Sequence, residues 1–157
     1  MTKKDQKKIK VEPCLRDSYL AVIRNSKCTR MFRNYVAKVD GVRRDITEDG
    51  DKSCAFFVSS VLSMFGLLHG SEVTVHRTLK AMKRAGWKEI RSPRTGCVIV
   101  WKEIRNGHGI LRKHIGFYIG DGKAISNSST RGVPVRHSYR SYKGRGILTM
   151  LWHKDLE

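Results

Sequence analysis

The hydrophobic pattern of the chain changes after Trp87, and this change limits the fold more than any other feature of the sequence. Before Trp87, apolar residues recur at the spacing of helices. After it they form short β-branched runs that predict strands: CVIVW, HIGFYIG, KAIS, GVPVRH and ILTMLWH. A helical half followed by such strands predicts an α+β fold, in which N-terminal helices pack on an antiparallel sheet of about five strands.

Three segments of the first half have helical patterns, and two of them are followed by a glycine. The predicted helices lie within residues 13–38 (one or two helices), 54–65 and 71–85. Gly66 and Gly86 follow the second and third, where glycine readily ends a helix. Residues 38–53 contain two Asp-Gly pairs and predict a hairpin or a loop.

A chain of 157 residues has room for one domain with a substantial core. The basic residues 1–10 predict a flexible tail, which leaves residues 11–157 as the single domain. No apolar stretch reaches the length of a membrane span, and no secretory signal follows the basic start. We therefore expect the protein to be cytoplasmic by default, although export by a route that needs no such signal stays open. We also expect a monomer.

The chain is strongly basic, with 32 Lys and Arg against 14 Asp and Glu and a formal net charge of +18. Such an excess attracts polyanions, which include nucleic acids, anionic lipid head groups and anionic cell-wall polymers. The basic residues are spread along the chain, and no helix-turn-helix, zinc-finger or aromatic RNA-binding motif accompanies them. The charge therefore predicts an anionic partner and leaves its class open.

The four cysteines are spaced too irregularly for a structural zinc site, because no CxxC pair and no histidine pair of finger spacing exists. Without a secretory signal we also expect no disulfides. Cys97 lies in an apolar run and is predicted to be a core residue, while Cys14 and Cys28 are predicted to be structural. We predict no metal ion and no organic cofactor.

Cys54 stands where the polar loop DKS meets the predicted helix from residue 54. At a helix N-terminus, unpaired backbone N–H groups and the helix dipole favour thiolate over thiol. The alternative is that Cys54 is a small apolar residue that fills a gap in the core. A catalytic role also needs an imidazole to carry protons and a third group to orient that ring.

His114 is the best placed of the six histidines because it opens the predicted strand HIGFYIG. Alternation puts Ile115, Phe117 and Ile119 on one face of this strand, and His114, Gly116 and Tyr118 on the other. A histidine at a strand end can reach the N-terminus of a helix that packs on the sheet. The alternative is a surface histidine at a strand terminus.

Residues 51–135 resemble the NlpC-type cell-wall cysteine peptidases and their CHAP amidase relatives, which share a papain-like core. The resemblance rests on the cysteine at a helix start, on AGWKEI followed by PRTGCVIVW, and above all on HIGFYIGDGKAISNSSTRGV. It implies that Cys54 is the nucleophile and His114 the base. The sequence departs from the family where SCAF replaces the usual Asp-Cys-Ser-Gly, and where Cys97 stands at a position that is often acidic.

The resemblance leaves two residues for the third catalytic position. The family often has a histidine on the next strand, and the matching position is Ser126, with Asn127 beside it. Simple alternation turns Ser126 toward His114. We predict Asn127, because a side-chain carbonyl can accept the imidazole N–H, and a bulge after the hairpin would turn it to the ring.

These observations predict a cysteine hydrolase that cleaves an amide bond through an acyl-enzyme, with Cys54, His114 and Asn127 as its catalytic residues. The family resemblance implies that the substrate is a peptide of peptidoglycan. Acyl transfer by the same residues stays open. The alternative from another class is a basic nucleic-acid-binding module, or a catalytically degenerate one, on the same scaffold.

Overall fold

The computed structural model describes residues 8–157, so most of the predicted tail at residues 1–10 lies outside the described residues. The helices are α1 (Leu15–Asn25), α2 (Cys54–Met64) and α3 (Val75–Arg84), with a 3-10 turn at Lys154–Leu156. The strands are β1 (Val36–Val39), β2 (Val42–Asp45), β3 (Lys88–Ile90), β4 (Val98–Arg105), β5 (Leu111–Gly120), β6 (Lys123–Ser128), β7 (Val133–Ser138) and β8 (Ile147–Trp152). Within this part of the chain, no helix has the length and apolar character needed to cross a membrane.

The strands form two antiparallel sheets, and the predicted α+β class is confirmed. Six strands form the main sheet in the order β3-β8-β4-β5-β6-β7, while β1 and β2 form a separate hairpin. The predicted five-strand sheet missed β3, which pairs with β8 through only three residues. So short a strand, with Lys88 and Glu89 exposed, leaves no periodic signal in the sequence.

The prediction of helix over residues 13–38 is correct only for α1. Its second half is wrong, because Val36–Asp45 forms the β1-β2 hairpin around Asp40 and Gly41. Both turn residues have positive φ angles, 49° and 79°, as a tight hairpin turn requires. The Asp45 carboxylate then accepts hydrogen bonds from the backbone N–H groups of Tyr35 and Thr47. Local turn chemistry overrides the apolar spacing here.

The two later helices are confirmed with small shifts at their ends. Gly66 and Gly86, with φ angles of 68° and 93°, follow α2 and α3 as predicted. The third helix starts at Val75 instead of residue 71, because the Thr74 side chain accepts a hydrogen bond from the Arg77 backbone N–H and so caps the helix there.

Aromatic contacts fix α2 against the sheet. Phe57 of α2 meets Phe117 of β5 edge to face, with ring centroids 5.4 Å apart, and both side chains are fully buried. Tyr19 of α1 packs on Phe117 as well and donates a hydrogen bond to the Gly96 carbonyl at 2.8 Å. Burial of each such ring contributes about 2–3 kcal/mol. This packing sets the position of the α2 N-terminus beside β5.

His114 lies inside β5 and does not open it, because the strand begins three residues earlier at Leu111. Residues 111–113 are polar or exposed, so the apolar pattern that marks the strand in the sequence starts only at His114. In the sheet His114 pairs with Trp101 of β4, directly before a register shift in that strand.

Candidate active site

The structure brings the three predicted site residues Cys54, His114 and Asn127 to one cleft of about 650 Å³. Cys54 is the first residue of α2, where backbone N–H groups of the first turn have no partner within the helix. His114 enters from the neighbouring strand β5. Tyr142 and Arg145, from the segment that joins β7 to β8, line the same cleft.

Burial raises the pKa of the Cys54 thiol above its ordinary value. Backbone hydrogen bonds from Ile115 and Ala55 and the positive charge of Arg145 act in the opposite direction and lower the pKa, but they do not outweigh desolvation. The residue keeps some solvent exposure, yet the sulfur is surrounded by enough protein for desolvation to dominate. The helix terminus alone therefore does not make Cys54 a thiolate.

His114 is buried and neutral near neutral pH, because burial lowers its pKa well below the ordinary value of 6.5. The positive charges of Arg145 and Lys143 lower the pKa of His114 further, as would a proton on His137. A neutral imidazole can accept a proton, whereas an imidazolium cannot. The surroundings thus keep His114 in the form that a general base requires.

Hydrogen bonds link His114 to a second histidine through Ser126. The Ser126 Oγ lies 2.8 Å from His114 Nε2 and 2.7 Å from His137 Nε2. His137 Nδ1 lies 2.7 Å from the Ser138 carbonyl oxygen. The pKa of His137 is also lowered, mainly by burial, so the rings of His114 and His137 are both neutral near neutral pH.

These contacts assign the tautomer of each ring from its partners. The Ser138 carbonyl only accepts, so His137 Nδ1 carries the proton and His137 Nε2 is an acceptor. Ser126 therefore donates its hydroxyl proton to His137 and accepts from His114 Nε2–H. The remaining nitrogen of the catalytic candidate, His114 Nδ1, is left unprotonated.

Asn127 does not occupy the place predicted for it. Its Nδ2 donates to the Gly50 carbonyl at 2.7 Å, and its buried Oδ1 has no hydrogen-bond partner among residues 8–157. Pairing of β6 with β7 is continuous from Lys123 to Ser128, so no bulge on that side turns Asn127 to the ring. Alternation along β6 therefore gives the contact with His114 to Ser126.

Gly116 allows this contact because a side chain there would collide with β6. A Cβ at Gly116 would lie 2.6 Å from the Ser126 Cβ and 2.7 Å from the Ile125 carbonyl oxygen. Both distances are shorter than any real Cβ contact. The glycine close to His114 in sequence thus makes room for the residue that bonds to the histidine ring.

An aromatic environment holds the imidazole in place. The Tyr142 ring stacks on His114 with centroids 3.8 Å apart and planes at 10°. The fully buried Trp101 ring lies beside the same histidine, with ring centroids 5.6 Å apart. Its indole N–H donates a hydrogen bond to the Tyr139 carbonyl at 2.9 Å. Sequence reasoning missed Tyr142 and Arg145, since SYKGRG shows only a basic turn, and gave His137 no role.

The remaining cysteines lie away from this cleft. Cys97 is buried in the core, as predicted, whereas Cys14 and Cys28 are exposed, so the prediction that these two are structural is not supported by burial. All four cysteines are free thiols. Within residues 8–157, no three His, Cys, Asp or Glu side chains come together as a metal site would require.

Known proteins do not assign this cleft to a family. No protein-family model matches the chain, and no curated protein shows significant similarity to it. What bears on the function of the cleft is therefore the chemistry of its own residues.

Proposed function

We propose that the protein is a cysteine hydrolase with a papain-like catalytic arrangement, which cleaves an amide bond through an acyl-enzyme. One observation carries the proposal. The hydrogen bonds from Ser138 through His137 and Ser126 leave His114 Nδ1 unprotonated, and this imidazole shares a cleft with the Cys54 thiol at a helix N-terminus. In the proposed triad Ser126 takes the orienting role that the sequence suggested for Asn127.

In the proposed reaction, the Cys54 sulfur attacks the amide carbonyl while its proton passes to His114 Nδ1. The imidazolium keeps its Nε2–H on Ser126 and then gives the new proton to the leaving amine, so the C–N bond breaks and a thioester remains. Water, deprotonated by His114, hydrolyses the thioester and returns the thiol. The Cys54 backbone N–H is a donor for the oxyanion, and one such donor contributes about 3 kcal/mol.

The thiol and the imidazole are both neutral at rest in this proposal. The pKa of Cys54 is raised and that of His114 is lowered, each chiefly by burial, so an ion pair is not the resting state. Proton transfer then accompanies the attack on the carbonyl. General-base assistance of this kind is worth about 10² to 10⁴ in rate.

The resemblance to NlpC-type peptidases and CHAP amidases makes peptides of peptidoglycan the proposed substrate. A net charge of +18 fits an enzyme that acts on an anionic polymer. The test is incubation of purified peptidoglycan with the protein and with Cys54→Ala, followed by mass spectrometry of the released material. We expect peptides only from the unchanged protein, and equal release by both would end this choice of substrate.

Alkylation by iodoacetamide near neutral pH tests the catalytic pair without a known substrate. Site-resolved mass spectrometry separates Cys54 from the exposed Cys14 and Cys28. We expect His114→Ala to slow modification of Cys54 about 10² to 10⁴-fold, the size of general-base assistance. His76→Ala is the matched control, because His76 is exposed and lines the same cleft. Equal slowing by both variants would contradict the proposal.

A second candidate function, nucleic-acid binding, rests on a separate basic groove. Lys27, Lys123, Arg131 and Arg136 line a depression of about 370 Å³, and none of the described residues that line it is acidic. Phosphate contacts make such binding fall steeply with salt. Retention on DNA or RNA that is lost in Arg131→Gln, together with a Cys54 no more reactive than the core Cys97, would favour this function over hydrolysis.

A further inference from the structure

Arg145 is a cation in the cleft that the proposed reaction does not use. Its Nη1 donates to the Arg112 carbonyl at 2.5 Å, and its guanidinium lies 5.9 Å from the Tyr142 ring centroid. Its Nε is buried and has no hydrogen-bond partner in the described part of the chain. The fold thus holds this guanidinium beside the candidate nucleophile but satisfies only part of it.

The charge of Arg145 is not compensated by any carboxylate that the structure describes. Among residues 8–157, none lies within ion-pair distance of its guanidinium. The cleft lining as a whole is basic, with four cations (Lys52, Arg112, Lys113 and Arg145) and two acids (Asp51 and Glu103). Partial burial of a cation without a counterion costs free energy, and burial lowers the pKa of Arg145 accordingly.

A guanidinium matches one class of ligand best. Its planar donors fit the two oxygens of a carboxylate, and such charge-assisted pairs are among the stronger hydrogen-bonded contacts in proteins. A carboxylate in the cleft would supply the counterion that residues 8–157 do not provide. The contacts with Arg112 and Tyr142 keep the side chain in place before that ligand arrives.

We propose that Arg145 is a specificity residue that binds a carboxylate of the substrate, so that the cleft takes peptides with a free carboxylate near the cleaved amide. The inference rests on the proposed function, because it takes Cys54 as the reacting thiol. It adds a substrate class: acidic peptides in preference to neutral or basic ones.

A simpler role for Arg145 would be to tune the thiol through its charge, since its positive charge also lowers the pKa of Cys54. Two small alkylating reagents separate the two roles. Iodoacetate carries a carboxylate and iodoacetamide does not, while in both cases the C–S bond forms, the C–I bond breaks, iodide leaves and His114 takes the thiol proton. A change in thiol pKa alters both rates alike and cancels in their ratio.

The experiment measures the iodoacetate to iodoacetamide rate ratio at Cys54 in the full chain. The exposed Cys14 in the same sample gives the intrinsic ratio of the reagents. We expect Arg145→Gln to lower the Cys54 ratio roughly 10-fold, the effect of losing one charge-assisted contact. Lys113→Gln is the matched control, since it removes an equal charge from the same cleft, and it should change the ratio less than about 2-fold.

A second measurement uses the unchanged chain and does not depend on whether Arg145→Gln folds. N-acetylglutamate α-amide, which has one free carboxylate, should protect Cys54 from iodoacetamide at lower concentration than N-acetylglutamine α-amide does, because the second compound has the same shape and no carboxylate. Equal protection, or a ratio unchanged by Arg145→Gln in folded protein, overturns the inference and leaves the hydrolase proposal standing. If Cys54 reacts with neither reagent faster than the core Cys97, both proposals fail.

Discussion

Cys54 and Cys97 are two thiols in similar local positions with different surroundings. Each begins or directly precedes a regular element, Cys54 at the start of α2 and Cys97 just before β4. Burial raises the pKa of both, and for Cys97 it raises the pKa to about 11. The pKa direction therefore does not separate a candidate nucleophile from a core residue.

What separates the two thiols is access and a proton acceptor. Cys54 opens onto a cleft that it shares with His114 and Arg145, whereas Cys97 is completely buried in the hydrophobic core near Tyr19. A thiol with a raised pKa reacts at neutral pH only if a neighbouring base takes its proton during the attack. The reactivity that we propose for Cys54 therefore depends on the neighbours of the sulfur and not on the helix N-terminus alone.

The largest expected difference between the two thiols is in amide cleavage. Cys54→Ala removes the proposed nucleophile and should abolish release of peptide from peptidoglycan, while Cys97→Ala should keep it, because Cys97 does not line the cleft. Mass spectrometry of the products measures both variants against the unchanged protein. Loss of cleavage in a folded Cys97→Ala variant would show that Cys97 also contributes to the reaction.

The pH dependence of Cys54 alkylation should reveal the neutral pair. Because the pKa of His114 lies well below 6.5 and that of Cys54 above 9.0, the reactive thiol–imidazole form predominates between these values. The iodoacetamide rate should be level across that window, fall in acid as His114 is protonated, and rise above it as thiolate forms.

His114→Ala should leave only the alkaline rise in that profile, which is also the profile expected for a thiol without a base. Stopped-flow or quenched alkylation followed at Cys54 measures both curves. A level region that persists in His114→Ala would mean that some other group accepts the proton.

Ser126→Ala should weaken His114 as the proposed base without removing it. The substitution breaks the link from His137 to His114 and frees the ring to adopt the other tautomer, so we expect cleavage to slow about 10- to 100-fold, the value of a hydrogen bond to a charged group. Nitrogen NMR of the His114 ring reports the tautomer directly. An unchanged Nε2–H signal in Ser126→Ala would remove Ser126 from the proposed triad.

The smallest expected effect is on stability, and there the order of the two thiols reverses. Cys97→Ala leaves a cavity in the core and should lower the free energy of unfolding by about 1–2 kcal/mol. Cys54→Ala lies at the wall of a cleft and should cost less than about 0.5 kcal/mol. Urea denaturation measures both, and equal losses would mean that Cys54 is as much a packing residue as Cys97.

The sequence predicted the parts of the fold that local chemistry controls. Helix ends at Gly66 and Gly86 and strand positions after Trp87 follow from backbone preference and hydrophobic period, and the structure has them. The prediction from the sequence was wrong where such signals are short or in conflict. Strand β3 has only three residues, and the Asp40-Gly41 turn outweighed an apolar spacing that resembled a helix.

For the candidate site, the sequence singled out Cys54 and His114, because a helix start and a strand pattern mark each of them locally. The choice between Ser126 and Asn127 depended on the register of β6, which has no bulge where Asn127 would have needed one. Three further residues, His137, Tyr142 and Arg145, reach the site through pairing and packing with distant strands. No pattern next to them in the sequence therefore indicates that they belong to the site.

Residue types and their periodicity determined the α+β class, the thiol at the head of α2 and the imidazole on β5, since each follows from preferences over a few neighbouring residues. The remaining properties come from the tertiary structure: which side chain bonds to His114, which ring nitrogen stays unprotonated, and that burial raises the Cys54 pKa. Those properties depend on burial and on hydrogen bonds between residues far apart in the chain, and no local pattern encodes either.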